Sequence, residues 1–161
     1  MFLPDGHFLI VLLLLLCGTV LSVMSKKLTK PAGSGALIVG MLVYTGGGYV
    51  SLVMLAVFFI LATLATSHKK VLKAQITAQY RHPEKRKLSQ VLANGGIPAV
   101  LGLLACFFPD QKELYGLMIA AAISAATADT LASELGMVYG RNSFNILTCK
   151  KEAPGLDGVI S

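Results

Sequence analysis

The stretch "GSGALIVGMLVYTGGGYVSLVMLAVFFILATLAT" (residues 33–66) decides the fold class of this chain, because it runs for 34 residues without a charged side chain. As a single helix it would measure about 50 Å, whereas the hydrocarbon core of a bilayer is about 30 Å thick. Its centre, "YTGGGY" (residues 44–49), is typical of a break, since consecutive glycines favour turns. The stretch therefore predicts two membrane spans.

The whole composition agrees with a membrane protein. The chain is 55% hydrophobic and 14% charged, whereas a soluble domain carries about 25% charged residues. We predict an all-α, polytopic transmembrane helix bundle of about five spans, with its N-terminus outside, in a single domain covering residues 1–161. The predicted spans are residues 7–25, 33–45, 48–66, 89–108 and 114–139.

The net charge of +6 is concentrated in three clusters between the apolar segments. Basic loops on one side of a membrane are typical of the cytoplasmic face, which predicts a cytoplasmic loop at 67–88 and a cytoplasmic tail at 140–161. In a prokaryote the location would be the plasma (inner) membrane. Aromatic residues do not alternate with the basic ones, so a nucleic-acid partner is not expected.

The last predicted span contains "SAATADTLASELG" (residues 124–136), with two carboxylates, Asp129 and Glu134. On a helical wheel one arc of about 160° contains Thr127, Asp129, Thr130, Ser133 and Glu134. A carboxylate at the bilayer centre costs about 2.5–3.5 kcal/mol on insertion scales, so each acid needs a partner, a water-filled cavity or a metal. An interior salt bridge is one alternative, and a pair of ligands for Mg²⁺ is another.

The preceding span carries Gln90, Asn94 and Pro98 at intervals of four residues. Asn94 lies about as far from its basic end as Glu134 does from Arg141, roughly 10 Å. We therefore expect the polar faces of the last two spans to meet on the cytoplasmic side. Residues 94–96 are expected to have a locally open backbone that lines a cavity.

Basic residues stand before two of the predicted spans: Lys27 and Lys30, with Thr29 between them, and Arg86 between two lysines. These positions have two alternative explanations. They determine topology and contact anionic lipid, or they form a phosphate-binding rim beside a carboxylate pair that holds Mg²⁺. Such a rim with a divalent ion is what phosphoryl transfer requires.

Two segments, "RKLSQVLANGGIPA" (residues 86–99) and "ATADTLASELG" (126–136), resemble the signatures of the transmembrane protein 19 family, the integral membrane domain of unknown function 92. "KKLTKPAGSGALIVG" (26–40) and "TCKKEAPGLDGVIS" (148–161) resemble its earlier and later segments. This family includes the plant phytyl-phosphate kinase. The resemblance implies a membrane kinase that phosphorylates an isoprenyl (phytyl-type) monophosphate with CTP or ATP. Since the family continues past the last motif, we expect the chain to be incomplete at its C-terminus.

The positions that the resemblance carries over by motif are Arg86, Gln90, Asn94, Asp129, Thr130, Ser133, Glu134, Asp157 and Ser161. Their roles are inferred from the residue types. We expect Asp129, Glu134 and Asn94 to be catalytic, with the two carboxylates as ligands of Mg²⁺. The expected substrate- and phosphate-binding residues are Lys27, Thr29, Lys30, Arg86, Gln90, Thr130, Ser133, Asp157 and Ser161.

Two other functions stay open from the residues alone: a membrane transporter of an anionic lipid or small solute, and a non-catalytic scaffold. Intramembrane carboxylates and broken helices also suit a transporter. A weak echo between "TLAT" (63–66) and "TLAS" (130–133) would fit a duplicated helical hairpin with its copies in parallel.

Overall fold

The computed structural model describes residues 6–77, 85–140, 142–152 and 159–160, and within these ranges the chain is almost entirely helical. The α-helices are α1 (Gly6–Met24), α2 (Lys30–Ser67), α3 (Lys70–Thr77), α4 (Leu88–Phe107) and α5 (Lys112–Tyr139). A 3₁₀ turn, Pro109–Gln111, precedes α5, and two short strands, β1 (Phe144–Asn145) and β2 (Val159–Ile160), pair antiparallel. α1, α2, α4 and the helix ending at Tyr139 are long and apolar enough to cross a membrane. The predicted all-α, multi-pass membrane fold is confirmed.

The break expected in the long apolar stretch falls at Gly48, inside α2. This residue has φ 67° and ψ −161°, a conformation outside the helical region that glycine adopts without the steric cost of a Cβ. The 38 residues of α2 are therefore two helices joined at Gly48. That the two halves make two separate membrane crossings stays a prediction.

The chain divides into two units, one of residues 1–56 and 83–124 and the other of residues 57–82 and 125–161. In the first unit, α1 runs antiparallel to the first half of α2. A Cβ added to Gly33 would lie 2.8 Å from the side chain of Val23. A Cβ added to Gly40 would lie 2.8 Å from the side chain of Leu15. Glycines thus let α1 approach α2 closely, as is common between membrane helices.

α4 packs against the same half of α2, but parallel to it. A Cβ on Gly95 would lie 2.7 Å from Val39, and a Cβ on Gly102 would collide with the backbone carbonyl of Leu42. Gly46 and Gly102 also meet backbone to backbone. The expectation of an open backbone at residues 94–96 is wrong, because α4 is helical throughout and the absent side chain of Gly95 serves helix packing instead.

The second unit contains the end of α2, the short helix α3, the last part of α5 and the β1–β2 pair. The recurrence of Val71, Leu72, Ile76 and Tyr80 at helical spacing predicts an interfacial helix, as far as Arg81, in the loop at 67–88. Helix α3 occupies Lys70–Thr77 of this loop, and Arg81 lies outside the described residues.

Candidate functional site

The N-termini of α2 and α4 lie side by side in the first unit. The N–H of Thr29 donates to the carbonyl of Arg86 at 3.1 Å, and the N–H of Arg86 donates to the carbonyl of Lys27 at 3.0 Å. These bonds form a parallel bridge between Leu28 and Arg86. The junction between the two helix starts is thus made by backbone groups.

Two of the predicted phosphate-binding residues hold the helix starts in place. Thr29 Oγ1 accepts a bond from the N–H of Ala32 at 3.4 Å, and Gln90 Oε1 accepts one from the N–H of Lys87 at 2.9 Å. Side-chain caps of this kind satisfy the first N–H groups of a helix. Thr29 and Gln90 therefore stabilise the first turns of α2 and α4. The positive end of each helix dipole lies at the junction.

Basic side chains surround this junction, and we call them the basic rim: Lys26, Lys27, Lys30, Lys85, Arg86 and Lys87. The lysines are exposed and Arg86 is half-buried. In the sequence, Glu84 directly precedes Lys85, and residues 25–40 and 85–99 contain no other acidic side chain. Paired helix N-termini surrounded by Lys and Arg are suited to binding a phosphate group.

Asn94 belongs to the same unit. It is half-buried in α4, about 9 Å along the helix axis from Leu88. The first unit thus contains six of the residues predicted from the sequence, and the backbone junction brings five of them to one end of α2 and α4. The six are Lys27, Thr29, Lys30, Arg86, Gln90 and Asn94.

Glu134 is at the centre of a second polar cluster, in the second unit. Its Oε2 accepts a bond from Lys73 Nζ at 2.7 Å, and its Oε1 accepts one from Thr66 Oγ1 at 2.6 Å. Lys73 Nζ also donates to the carbonyl of Ala65 at 2.6 Å. The side chains of Lys73 and Glu134 are only 9% and 18% exposed, so this is a largely buried ion pair. We call Thr66, Lys73 and Glu134 the Lys73–Glu134 cluster.

The other predicted residues of α5 lie in a more open environment. Asp129 and Ser133 are exposed, and Thr130 is half-buried. Asp129 precedes Glu134 by five residues, which places the two about 140° apart around the helix and about 7.5 Å apart along it. The polar face of α5 is thus divided between an exposed carboxylate and a paired one.

This arrangement does not fit a single Mg²⁺ held by Asp129 and Glu134. Both oxygens of Glu134 are engaged by other side chains, and the two acids point in different directions. In the part of the chain that the structure describes, groups of three or more His, Cys, Asp or Glu side chains do not gather as metal ligands. The shared Mg²⁺ site stays a prediction, and it requires Glu134 to release Lys73.

The sequence reasoning missed Lys73 and Thr66 as site residues. A signal was available, since an acid inside a membrane helix requires a cation, and lysines follow directly after the preceding apolar segment. The repeat of "TLAT" and "TLAS" also pointed to Thr66. What the pattern did not indicate is which of Lys69, Lys70 and Lys73 turns inward.

The remaining predicted residues, Asp157 and Ser161, lie outside the described residues. The segment before them forms a turn organised by Asn145. Its Oδ1 accepts bonds from the N–H groups of Leu147 and Thr148, and its Nδ2 donates to Glu152 at 3.1 Å. The assignment of Asp157 and Ser161 to substrate binding stays a prediction.

Comparison with known proteins identifies the family. The model of the family described as integral membrane protein DUF92 matches residues 12–161. The chain belongs to this family. The resemblance inferred from the motifs is thereby confirmed. No solved structure gives a significant match to the chain.

Similar proteins occur in an archaeon, a cyanobacterium and a plant. An uncharacterized membrane protein of Methanocaldococcus jannaschii is 34% identical over 95% of the chain and 62% of its own length. One from Synechocystis sp. is 32% identical over 84% of the chain and 54% of its own length. The chloroplastic protein VTE6 of Arabidopsis thaliana is 26% identical over 80% of the chain and 39% of its own length. The chain thus spans from 39% to 62% of the length of these relatives.

Proposed function

We propose that this protein contributes the phosphate-binding part of a membrane kinase that phosphorylates an isoprenyl monophosphate to the diphosphate. The observation that carries the proposal is the basic rim, where the starts of α2 and α4 are joined by their backbones. Phosphoryl transfer depends mainly on positioning and on neutralising phosphate charge. The rim offers several cations and two helix N-termini for that purpose, at the end of apolar helices that can contact a prenyl chain.

Membership of the family supports the substrate class, because the motifs "RKLSQVLANGGIPA" and "ATADTLASELG" resemble the signatures of a family that includes the plant phytyl-phosphate kinase. We propose a nucleoside triphosphate, CTP or ATP, as phosphate donor and Mg²⁺ as its counter-ion. Within this proposal Asp129, which is exposed on α5, is the carboxylate available to a metal–nucleotide complex. Asn94 and Ser133 are proposed to contact substrate.

The test is phosphoryl transfer in membranes that contain the full-length protein, with phytyl or farnesyl monophosphate and CTP or ATP. We expect diphosphate product from the wild type and strongly reduced product from Asp129→Asn and from the double variant Lys30→Gln/Lys87→Gln. Lys112→Gln is the matched control, because Lys112 is also an exposed lysine of the first unit but lies beyond the other end of α4. Its activity should equal that of the wild type.

A second function, transport of an anionic lipid or solute, is favoured by one separate observation. The helix break at Gly48 borders a cavity of about 500 Å³ in the first unit. The other residues that line it are Gly46, Gly47, Pro109, Asp110, Lys112, Glu113 and Gly116. Broken helices beside a cavity are typical of transporter sites. Absence of any diphosphate product, together with flux of a prenyl phosphate across proteoliposomes, would replace the kinase proposal with this one.

A further inference from the structure

The turn at residues 144–151, which follows α5, presents apolar side chains at its tip. Leu147 is 85% exposed and Ile146 is 57% exposed. Exposed side chains of this kind face lipid on a membrane-spanning helix, but the turn lies outside the helices that are long and apolar enough to span a membrane. Adjacent exposed apolar residues with polar neighbours are typical of a surface that binds a membrane or another protein. The tip of the turn therefore calls for a partner.

Positive charge directly follows this apolar tip. Lys150 and Lys151 are both exposed. Glu152, the next residue, is half-buried, and its Oε2 accepts a bond from Asn145 Nδ2 at 3.1 Å. The carboxylate is thereby engaged within the turn, whereas the two lysines are exposed beside its tip. Apolar side chains next to exposed lysines are typical of segments that lie in the interface of a membrane.

The turn satisfies part of its own backbone, as a segment must do where it enters the apolar part of a bilayer. The N–H groups of Leu147 and Thr148 donate to Asn145 Oδ1 at 2.8 Å and 3.3 Å. The N–H of Cys149 donates to the carbonyl of Asn145 at 2.8 Å, and the N–H of Asn145 donates to the carbonyl of Lys150 at 2.8 Å. Because these N–H groups already have partners, they lose no hydrogen bond to water when the tip leaves the aqueous phase.

The end of α5 keeps the turn close to the bilayer. The hydroxyl of Tyr139, its last residue, lies 2.8 Å from His68 Nε2, and Lys69 Nζ lies 4.6 Å from the centroid of the Tyr139 ring. Tyrosine and lysine at the ends of spanning helices are typical of the membrane–water interface. Phe144 follows Tyr139 by five residues, a distance of at most about 18 Å. The turn therefore begins within reach of the lipid headgroups.

We propose that the 144–151 turn inserts Ile146 and Leu147 into the interfacial layer of the membrane, and that Lys150 and Lys151 bind the phosphates of anionic lipids there. Charge complementarity selects the bilayer as the partner. The tip needs an apolar layer and the lysines need an anionic layer directly beside it, and a leaflet with anionic lipids presents both. The proposal goes beyond the kinase function and does not depend on it, because the depth of the turn is measured without any activity.

The experiment measures the depth of the turn in the full-length protein, in phosphatidylcholine nanodiscs with and without phosphatidylglycerol. Cys149 is exposed and close to the tip, so a fluorophore is attached there in a variant in which Cys149 is the only cysteine. We expect strong quenching by lipids that carry a nitroxide near the headgroup end of an acyl chain, and weak quenching by iodide in the water. Strong quenching by iodide would show that the turn lies in water, and weak quenching by both agents would show that protein covers it. Either result would overturn the proposal.

Two double variants separate the contributions of the tip and of the lysines. Ile146→Ser/Leu147→Ser should lose most of the quenching by lipid, whereas Thr148→Ser, at an exposed position of the same turn, is the matched control and should keep it. With phosphatidylglycerol, Lys150→Gln/Lys151→Gln should lower the ratio of inserted to water-exposed label about fivefold for each lysine removed. Without phosphatidylglycerol its ratio should approach that of the wild type. Equal ratios of the wild type and the lysine variant in anionic nanodiscs would overturn the assignment of these lysines to lipid phosphates.

Discussion

The basic rim and the Lys73–Glu134 cluster are both polar regions at helix ends, but they are built in opposite ways. Backbone hydrogen bonds join the rim, and its lysines are exposed. Side-chain bonds join the cluster, and its charges are balanced and largely buried. The rim is therefore available to an anionic ligand, whereas the cluster contributes to the stability of the fold.

This difference is tested most strongly by removing one member of the buried pair. Glu134→Gln leaves Lys73 without its counter-charge, and breaking a buried ion pair costs about 3–5 kcal/mol. We expect the free energy of unfolding in detergent to fall by this amount. Asp129→Asn is the control on the same helix, and because Asp129 is exposed its effect should stay within about 0.5 kcal/mol. Equal stability of the two variants would contradict a structural role for the pair.

Thr66 provides a smaller change at the same cluster. Thr66→Val keeps the shape of the side chain but removes the hydroxyl that contacts Glu134. A hydrogen bond to a charged group contributes about 1.5–3 kcal/mol, and a loss of this size is expected in denaturant unfolding. Thr66→Ser retains the hydroxyl and should restore most of it. A valine variant as stable as the wild type would show that this bond contributes nothing.

The rim depends instead on the packing of α4 against α2. In Gly102→Ala the new Cβ would meet the carbonyl of Leu42, so the helices must separate. Overpacking of this kind typically costs about 1–3 kcal/mol, measurable as a lower melting temperature. Gly96→Ala is the matched control on the same helix, because nothing lies within 4 Å of the added Cβ. It should be neutral or stabilising, and a similar loss in both variants would show that close packing at Gly102 is not the cause.

The smallest effect on stability is expected at the exposed lysines. Lys30→Gln or Lys87→Gln should change the free energy of unfolding by less than about 0.5 kcal/mol. Each should raise the KM for the prenyl phosphate several-fold, because an exposed charge contributes up to about 1 kcal/mol to an ion pair.

High salt provides the corresponding check without a mutation. It should weaken substrate binding at the rim, because screening acts on exposed charges much more than on buried ones. The stability contributed by the Lys73–Glu134 pair should change little in the same titration. A similar salt dependence of both quantities would remove the distinction between the two regions.

Much of the fold could be predicted from the sequence, because membrane helices are specified locally. An apolar run of sufficient length must satisfy its own backbone in lipid, and a run that is too long needs a break. The predicted spans 7–25 and 89–108 lie within one residue of α1 and α4 at each end, and the break falls at Gly48. The prediction of an open backbone at residues 94–96 was wrong because a pair of glycines is found both in open backbone and in closely packed helices. The contact between Gly95 and Val39 of α2 shows that close packing is the explanation here.

The sequence by itself also determined the family motifs and the charge distribution, since these are properties of residue order. The tertiary structure decided which polar groups meet. It placed the predicted phosphate-binding residues of two separate segments at one backbone junction, and it gave Glu134 a partner, Lys73, that lies 61 positions away in the chain. Helical periodicity states which face a side chain occupies, but the partner of a buried charge depends on packing between distant segments.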